Sequence, residues 1–338
     1  MSLNILYHLT SALPHIPETD AVFQEINTLK TRFSGTIINL YPLTKPHILF
    51  PRFLYGVKQA QQLKETEHSY NFHHIYHPLF YFFPVLKILR RPIIYSVVAG
   101  VQKSLRKKEV SLVDTIVISN ERDETTLQAQ NIKNYRLIRP GIKTSLFSFK
   151  ECQQQSDFIL MVGSAPWTAR QFKQKGIDAI LNVAAQMPNL KLIFLWRGLL
   201  EEELEYRIKK FNLMNRVEIL KKKVNVNEIL GRSHAAIVLA QTPKLVKAYP
   251  HSLMESLAAG KPVLISNTIP MADYVRQNNC GEIVSDVNAK SLKENIEKLM
   301  KNYNDHQTSA LRVGQRDFSQ TTMFSHFEKL YQEVSAKA

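Results

Sequence analysis

The sequence predicts an α/β protein of two successive doubly wound domains, each a parallel sheet covered by helices on both faces. Three observations carry that expectation. Short apolar, β-branched runs recur along the whole chain, amphipathic stretches lie between many of them, and the alternation comes in two sets. At 338 residues the chain is also long for one core and suits two domains of ordinary size.

Taken in order, the strand runs of the first half are "NILYHL", "TIINLY", "FHHIYH", "PIIYSVV", "TIVISN" and "RLIRPG". Those of the second half are "FILMVGS", "LKLIFLW", "RVEIL", "AAIVLA", "PVLISN" and "GEIVS". Each is short and often apolar on both faces, as parallel strands buried under helices are. The helical period shows in "DAVFQEINTLKTRF" and in "KGIDAILNVAAQM", where Ile177, Ile180, Leu181 and Ala184 share a face. It shows again in "SLKENIEKLMKNY", with Leu292, Ile296, Leu299 and Met300. A polar stretch at 147–158 marks the boundary, giving domains 1–150 and 151–320. The last segment, 321–338, is a helix carrying Phe324, Phe327, Leu330 and Tyr331 that can pack back across either domain. Ligands of such sheets bind beyond the carboxyl ends of the strands, so two facing domains make a cleft.

Composition narrows the class. Apolar residues at 44% and aromatics at 9% describe a folded chain. Two cysteines, Cys152 and Cys280, lie far apart without a C-x-x-C pair, which argues against a disulfide framework or a zinc site and fits a reducing compartment. The N-terminus shows no signal-peptide pattern, and the most apolar segment, "HPLFYFFPVLKILRRPIIYSVVAG", is too interrupted by Pro, Lys and Arg to span a bilayer. The expectation is a soluble cytoplasmic protein. The net charge of +15 favours anionic partners: phosphates, nucleic acid or an anionic membrane surface.

Three stretches carry candidate chemistry. In "YPHSLMESLAAGKPVLISN", Glu255 follows Ser252 by three residues, the S-x-x-E spacing of a capping box, and the helix it opens stops at Gly260. The same carboxylate, placed near a helix start facing a cleft, can accept hydrogen bonds from two sugar hydroxyls while the first-turn amides hold a phosphate. In "GSAPWTARQFKQKGID", a strand ends at Gly163, and Arg170, Lys173 and Lys175 lead into a helix. Such cations suit a diphosphate, and equally describe a solvated basic loop; Trp167 suits stacking on a base or sugar, or a rim. The loop is neither a P-loop nor a G-x-G-x-x-G fingerprint. In "FHHIYH" the histidines lack metal-site spacing, since a strand turns His73 and His77 to one face and His74 to the other. His77 lies at the strand's carboxyl end.

The order of "RLIRPGIKTSLFSF", "ILMVGSAPWTARQFKQKGIDAILNVA", "NRVEIL" and "YPHSLMESLAAGKPVLIS" resembles the GT-B glycosyltransferases of family 4, most closely over residues 115–285. The resemblance implies two Rossmann-like domains and transfer of a sugar from a nucleotide-sugar donor with retention of configuration. It further implies that Glu255 binds the donor ribose, with His251 and Ser252 beside it, and that Gly163, Ser164 and Lys175 belong to the diphosphate loop. At Ser164 the family has an arginine, whose part Arg170 and Lys173 take here. The family's other carboxylate falls at Lys247, a departure at the transferred sugar. The family's N-terminal histidine turn falls at Ala99, and His77 is the catalytic candidate on the acceptor side. No metal or other cofactor is required by this reading.

The acceptor expected is a glycan or a lipid-linked glycan. Lys103, Arg106, Lys107 and Lys108, beside the aromatics of "FYFFPVLKILRR", suit an anionic membrane surface; alternatively 78–86 is core and the lysines are a solvated face. The substitutions at Lys247 and Ala99 also admit a catalytically inactive sugar-nucleotide or glycan-binding protein. A nucleic-acid binder has only the charge in its favour, with no recognisable module.

Overall fold

A computed structural model describes residues 3–11, 17, 20–43, 50–152, 156–163, 165–196, 200–222 and 224–336. The chain divides into two units: unit 1 is Met1–Gly141 with Gln320–Ala338, and unit 2 is Ile142–Ser319. The first division precedes the polar stretch at 147–158. The C-terminal helix, Gln320–Ser335, belongs to unit 1.

Unit 1 holds β1 (Asn4–Leu9), β2 (Ser34–Asn39), β3 (Phe72–His77), β4 (Ile93–Val97), β5 (Thr115–Ile118) and β6 (Tyr135–Leu137), ordered β2-β1-β3-β4-β5-β6 and parallel throughout. Alternation along β3 sends Ile75 to one face, with Leu6 and Tyr95. It sends Phe72 and Tyr76 to the other, with Ile5 and Tyr7. The C-terminal helix covers that second face with Met323, Phe327, Leu330 and Tyr331, all nearly solvent-free. Phe80, Phe83, Val85 and Leu86 are buried too, so the aromatic stretch after β3 is core, while Lys103, Arg106, Lys107 and Lys108 are exposed.

Unit 2 holds β7 (Phe158–Val162), β8 (Leu190–Leu195), β9 (Val217–Leu220), β10 (Ala235–Val238), β11 (Val263–Ser266) and β12 (Gly281–Val284), ordered β12-β11-β10-β7-β8-β9 and likewise parallel. Both faces are dry. Phe158, Leu160 and Val162 meet the helix Ile177–Gln186 through Ile177, Ile180, Leu181 and Ala184, the stripe its period predicts. Helix Ala289–Lys301 starts where the Asn288 side chain accepts the Ser291 amide at 2.9 Å, and buries Leu292, Ile296 and Leu299.

One feature of each sheet order positions a site. The chain builds outward from β1 to β2, then returns so that β3 pairs on the other side of β1; unit 2 repeats this with β7 to β9 and then β10. Adjacent strands whose connections leave in opposite directions open a crevice at their carboxyl ends. These points are β1/β3 and β7/β10. No helix among the described residues is long and apolar enough to cross a membrane.

Candidate active site

At the β7/β10 point the chain exits β7 through Gly163, whose amide donates to Ile237 O on β10 at 3.2 Å. There is no room for a side chain here: a Cβ on Gly163 would lie 2.5 Å from Ser252 Oγ. Two residues on, Ala165 O accepts a hydrogen bond from Lys175 Nζ at 3.1 Å. The exit loop is thus clasped between Ser252 on one side and Lys175 on the other. Ser164, between Gly163 and Ala165, lies outside the described residues.

Lys175 follows the helix Ala169–Gln174 and is 4% exposed. Burial lowers its pKa to about 8. Gly176, in the left-handed region at φ 69°, then turns the chain into the next helix with its Cα against Leu239. Arg170 and Lys173 are exposed on the preceding helix, and no carboxylate among the described residues pairs with either. Trp167 is half-buried and its amide donates to Gln171 Oε1 at 2.8 Å.

The opposite wall is the helix His251–Ala258. Its N-cap is Pro250, no side chain caps it, and the amides of Leu253 and Met254 turn back to Pro250 O at 3.1 and 3.2 Å. The capping box expected from S-x-x-E is therefore not formed. Ser252 is already inside the helix, and Glu255 is its fifth residue, beyond the first turn. The far end does follow the sequence: Gly260, φ 69°, donates to Leu257 O at 2.9 Å and Lys261 to Ser256 O at 2.8 Å, a Schellman closure. Lys247 is half-buried in the segment entering this helix and lies close enough to His251 to act on it. Burial, with that neighbouring charge, holds the His251 imidazole well below its ordinary pKa, so it is neutral.

At the β1/β3 point Thr10 Oγ1 donates to Tyr76 O at 2.6 Å, tying the two strand ends together. In the sequence Thr10 belongs to no motif, and its only signal is a hydroxyl directly after a strand. His77 ends β3 with its ring buried, and burial takes its pKa down to about 4. Its Nδ1 lies 2.5 Å from Leu79 O and 3.1 Å from Leu79 N. Both contacts hold Nδ1 at the Leu79 backbone, whichever ring nitrogen carries the proton, and no hydrogen bond among the described residues uses Nε2.

The other histidines of the run are occupied elsewhere. His73 bridges Glu67 Oε1 at 3.0 Å and His8 Nε2 at 2.9 Å, and His74 lies between Tyr331 Oη and Ser96 Oγ, both at 2.8 Å. Among the described residues no cluster of three or more His, Cys, Asp or Glu can hold a metal ion. Ala99 is buried, its amide donating to Pro78 O at 2.9 Å.

Residues 149–312 match the family model for glycosyl transferases group 1. The matched stretch lies within unit 2 and spans most of it. Over 153 residues, 44% of this chain, it is 25% identical to the lipopolysaccharide glucosyltransferase WaaG of Escherichia coli (strain K12), and the aligned stretch spans 38% of that relative's length. Sucrose-phosphate synthase from Thermosynechococcus elongatus is similar in fold at a TM-score of 0.76 and 14% identity, over 99% of this chain and 100% of that one. Anabaena Alr3699/HepE, solved in complex with UDP and glucose, is similar at 0.70 and 14%, over 98% and 100%. The chain therefore has the GT-B fold of two Rossmann-like units.

Proposed function

We propose that this GT-B chain is a glycosyltransferase that moves a sugar from a nucleoside-diphosphate donor to a glycan or lipid-linked acceptor with retention of configuration. Unit 2 takes the donor and unit 1 the acceptor. The observation that carries the reading is the clasped loop at the β7/β10 point, where Gly163 lets the strand exit approach Ser252 at the start of the helix and the Lys175 ammonium stands behind the same loop. A HepE structure holding UDP-glucose supports the donor class.

In this mechanism Lys175, with Arg170 and Lys173, neutralises the diphosphate as the glycosidic bond breaks and its oxygen takes the bonding pair. The amides at the start of the helix His251–Ala258 add partial positive charge, and the helix has no carboxylate cap competing for them. Glu255 accepts hydrogen bonds from the two ribose hydroxyls. The acceptor hydroxyl attacks from the face the diphosphate leaves, passing its proton to the departing phosphate oxygen; His77 Nε2 orients that hydroxyl. The reaction so written needs no metal, and it suits a cytoplasmic protein with peripheral membrane contact through unit 1.

Lys247 favours a second reading, a sugar-nucleotide or glycan binder without turnover, because it sets a cation where the family has a carboxylate.

Calorimetric titration with UDP, GDP, ADP and TDP tests the donor site. Selective binding of one, lost in Glu255→Gln, is the expected result, and the base it names directs a sugar-transfer screen. Binding without transfer leads to the second reading. No binding of any of the four would end the donor-site assignment.

A further inference from the structure

Charge is distributed very unevenly in unit 1. Between residues 26 and 108 there are 13 Lys and Arg against two acidic residues, Glu65 and Glu67. Glu67 is buried and spent internally, accepting from the amides of Arg90 and Arg91 and facing His73, so it screens nothing outside.

Part of this surplus gathers with exposed apolar groups at the carboxyl-end rim of the first sheet. The Gly56 amide donates to Leu40 O at 2.9 Å, which holds the 52–58 corner at the end of β2. The Arg52 guanidinium lies 5.4 Å from the Tyr81 ring centroid, just past β3. Gln102, just past β4, donates to Phe80 O at 2.6 Å, and the exposed Lys103 follows it in the chain. Lys87 lies 5.6 Å from the Phe82 ring centroid. From this rim Phe53 and Val57 project, 58% and 54% exposed, with Lys58 next to Val57.

Among the described residues no carboxylate pairs with Arg52, Lys58, Lys87 or Lys103. Ring contacts engage Arg52 and Lys87, but no opposite charge among the described residues balances any of the four. Their like-charge repulsion is a cost to unit 1, as is the hydration of two exposed apolar side chains. An anionic bilayer relieves both at once. Its headgroups neutralise the cations within a Debye length, and its acyl boundary takes the Phe53 and Val57 side chains. A nucleic acid relieves only the first.

We infer that the rim formed by Arg52, Phe53, Val57, Lys58, Lys87 and Lys103 docks unit 1 on an anionic lipid bilayer, so that the β1/β3 point opens next to the headgroup layer. Given the transferase reading, the acceptor class this selects is a lipid-linked one. The docking itself does not depend on that reading.

Flotation tests it. The whole protein is mixed with vesicles of phosphatidylcholine alone, or with about a third phosphatidylglycerol, in about 0.1 M salt, where the screening length is about 10 Å. It should float with the anionic vesicles only and detach in about 1 M salt, where that length falls to about 3 Å. Arg52→Glu with Lys58→Glu should cut the floated fraction at least about fivefold, and Phe53→Ser with Val57→Ser should do so as well. All four positions are exposed at the surface, and unchanged melting of the variants confirms that they fold.

No flotation, or equal flotation with neutral vesicles, would overturn the inference. So would loss in the charge-reversed variant alone, with Phe53→Ser/Val57→Ser floating as the wild type and heparin competing fully; that pattern is general polyanion attraction. The nucleotide titration reads unit 2 separately, so either result leaves the other interpretable.

Discussion

Lys175 has given up most of its contact with water, and its charge is correspondingly costly. With its pKa at about 8 against an ordinary 10.5, it is still mostly protonated at pH 7. A bound diphosphate favours the ammonium and raises that pKa, so the residue is poised to gain from an anion. The sign follows. Nucleoside diphosphate affinity should be near full at pH 7 and weaken as pH rises through 8 and beyond, whereas Lys175→Arg, permanently charged, should keep it flat over that range. A wild-type affinity that stays level from pH 7 to 9.5 would remove Lys175 from the diphosphate. In the unliganded protein the same shift makes folding stability rise with pH between about 8 and 10.5, because there the unfolded chain holds a proton the folded one has shed.

Helix starts are settled by more than their own four residues. The S-x-x-E spacing at Ser252 and Glu255 is indistinguishable in sequence from a working capping box. The helix instead begins two residues earlier, because Tyr249 and Met254, at the positions of a hydrophobic staple around Pro250, are both drawn into one core cluster. That register takes Glu255 out of the first turn. Ser252→Ala should therefore leave the melting temperature almost unchanged. Asn288→Ala, which removes a formed cap, should cost about 1 kcal/mol. Thermal unfolding of the two variants separates the cases; an equal loss in both would restore Ser252 as a cap. Glycine was the more reliable signal. Gly260 predicted the helix end correctly because a left-handed C′ position is a backbone requirement that neighbours rarely override.

On the scale of the whole molecule, two sheets with the same kind of order reversal each open a crevice at their strand carboxyl ends, and the candidate donor residues that are described lie on the segments that follow β7 and β10. Ligand binding there should be visible in global stability. At about 100 times its dissociation constant, the diphosphate found by titration should add about 2.7 kcal/mol to the folded state and raise the unfolding midpoint. A ligand that titrates yet leaves the midpoint unmoved would be binding outside the native site. Charge also organises at this scale. The total of +15 says little, whereas the span 26–108, nearly free of carboxylates, says where the positive field lies.

Strand and helix periodicity determined the twelve strands found among the described residues, the buried stripes such as Ile177–Ile180–Leu181–Ala184, and hence the two-unit α/β class. Those features are local: a two-residue or 3.6-residue repeat of apolar side chains is decided by burial on one or two faces. Partnerships across the chain were decided only by tertiary structure. It assigned the last helix to unit 1, because Phe327, Leu330 and Tyr331 fit against Phe72 and Tyr76 some 250 residues away in sequence. It bound His73 to Glu67 and His8, leaving His77 at the strand end, and it set Ser252 against Gly163 with Lys175 behind the same loop. Such contacts depend on which strands become neighbours, and packing of distant segments selects that order.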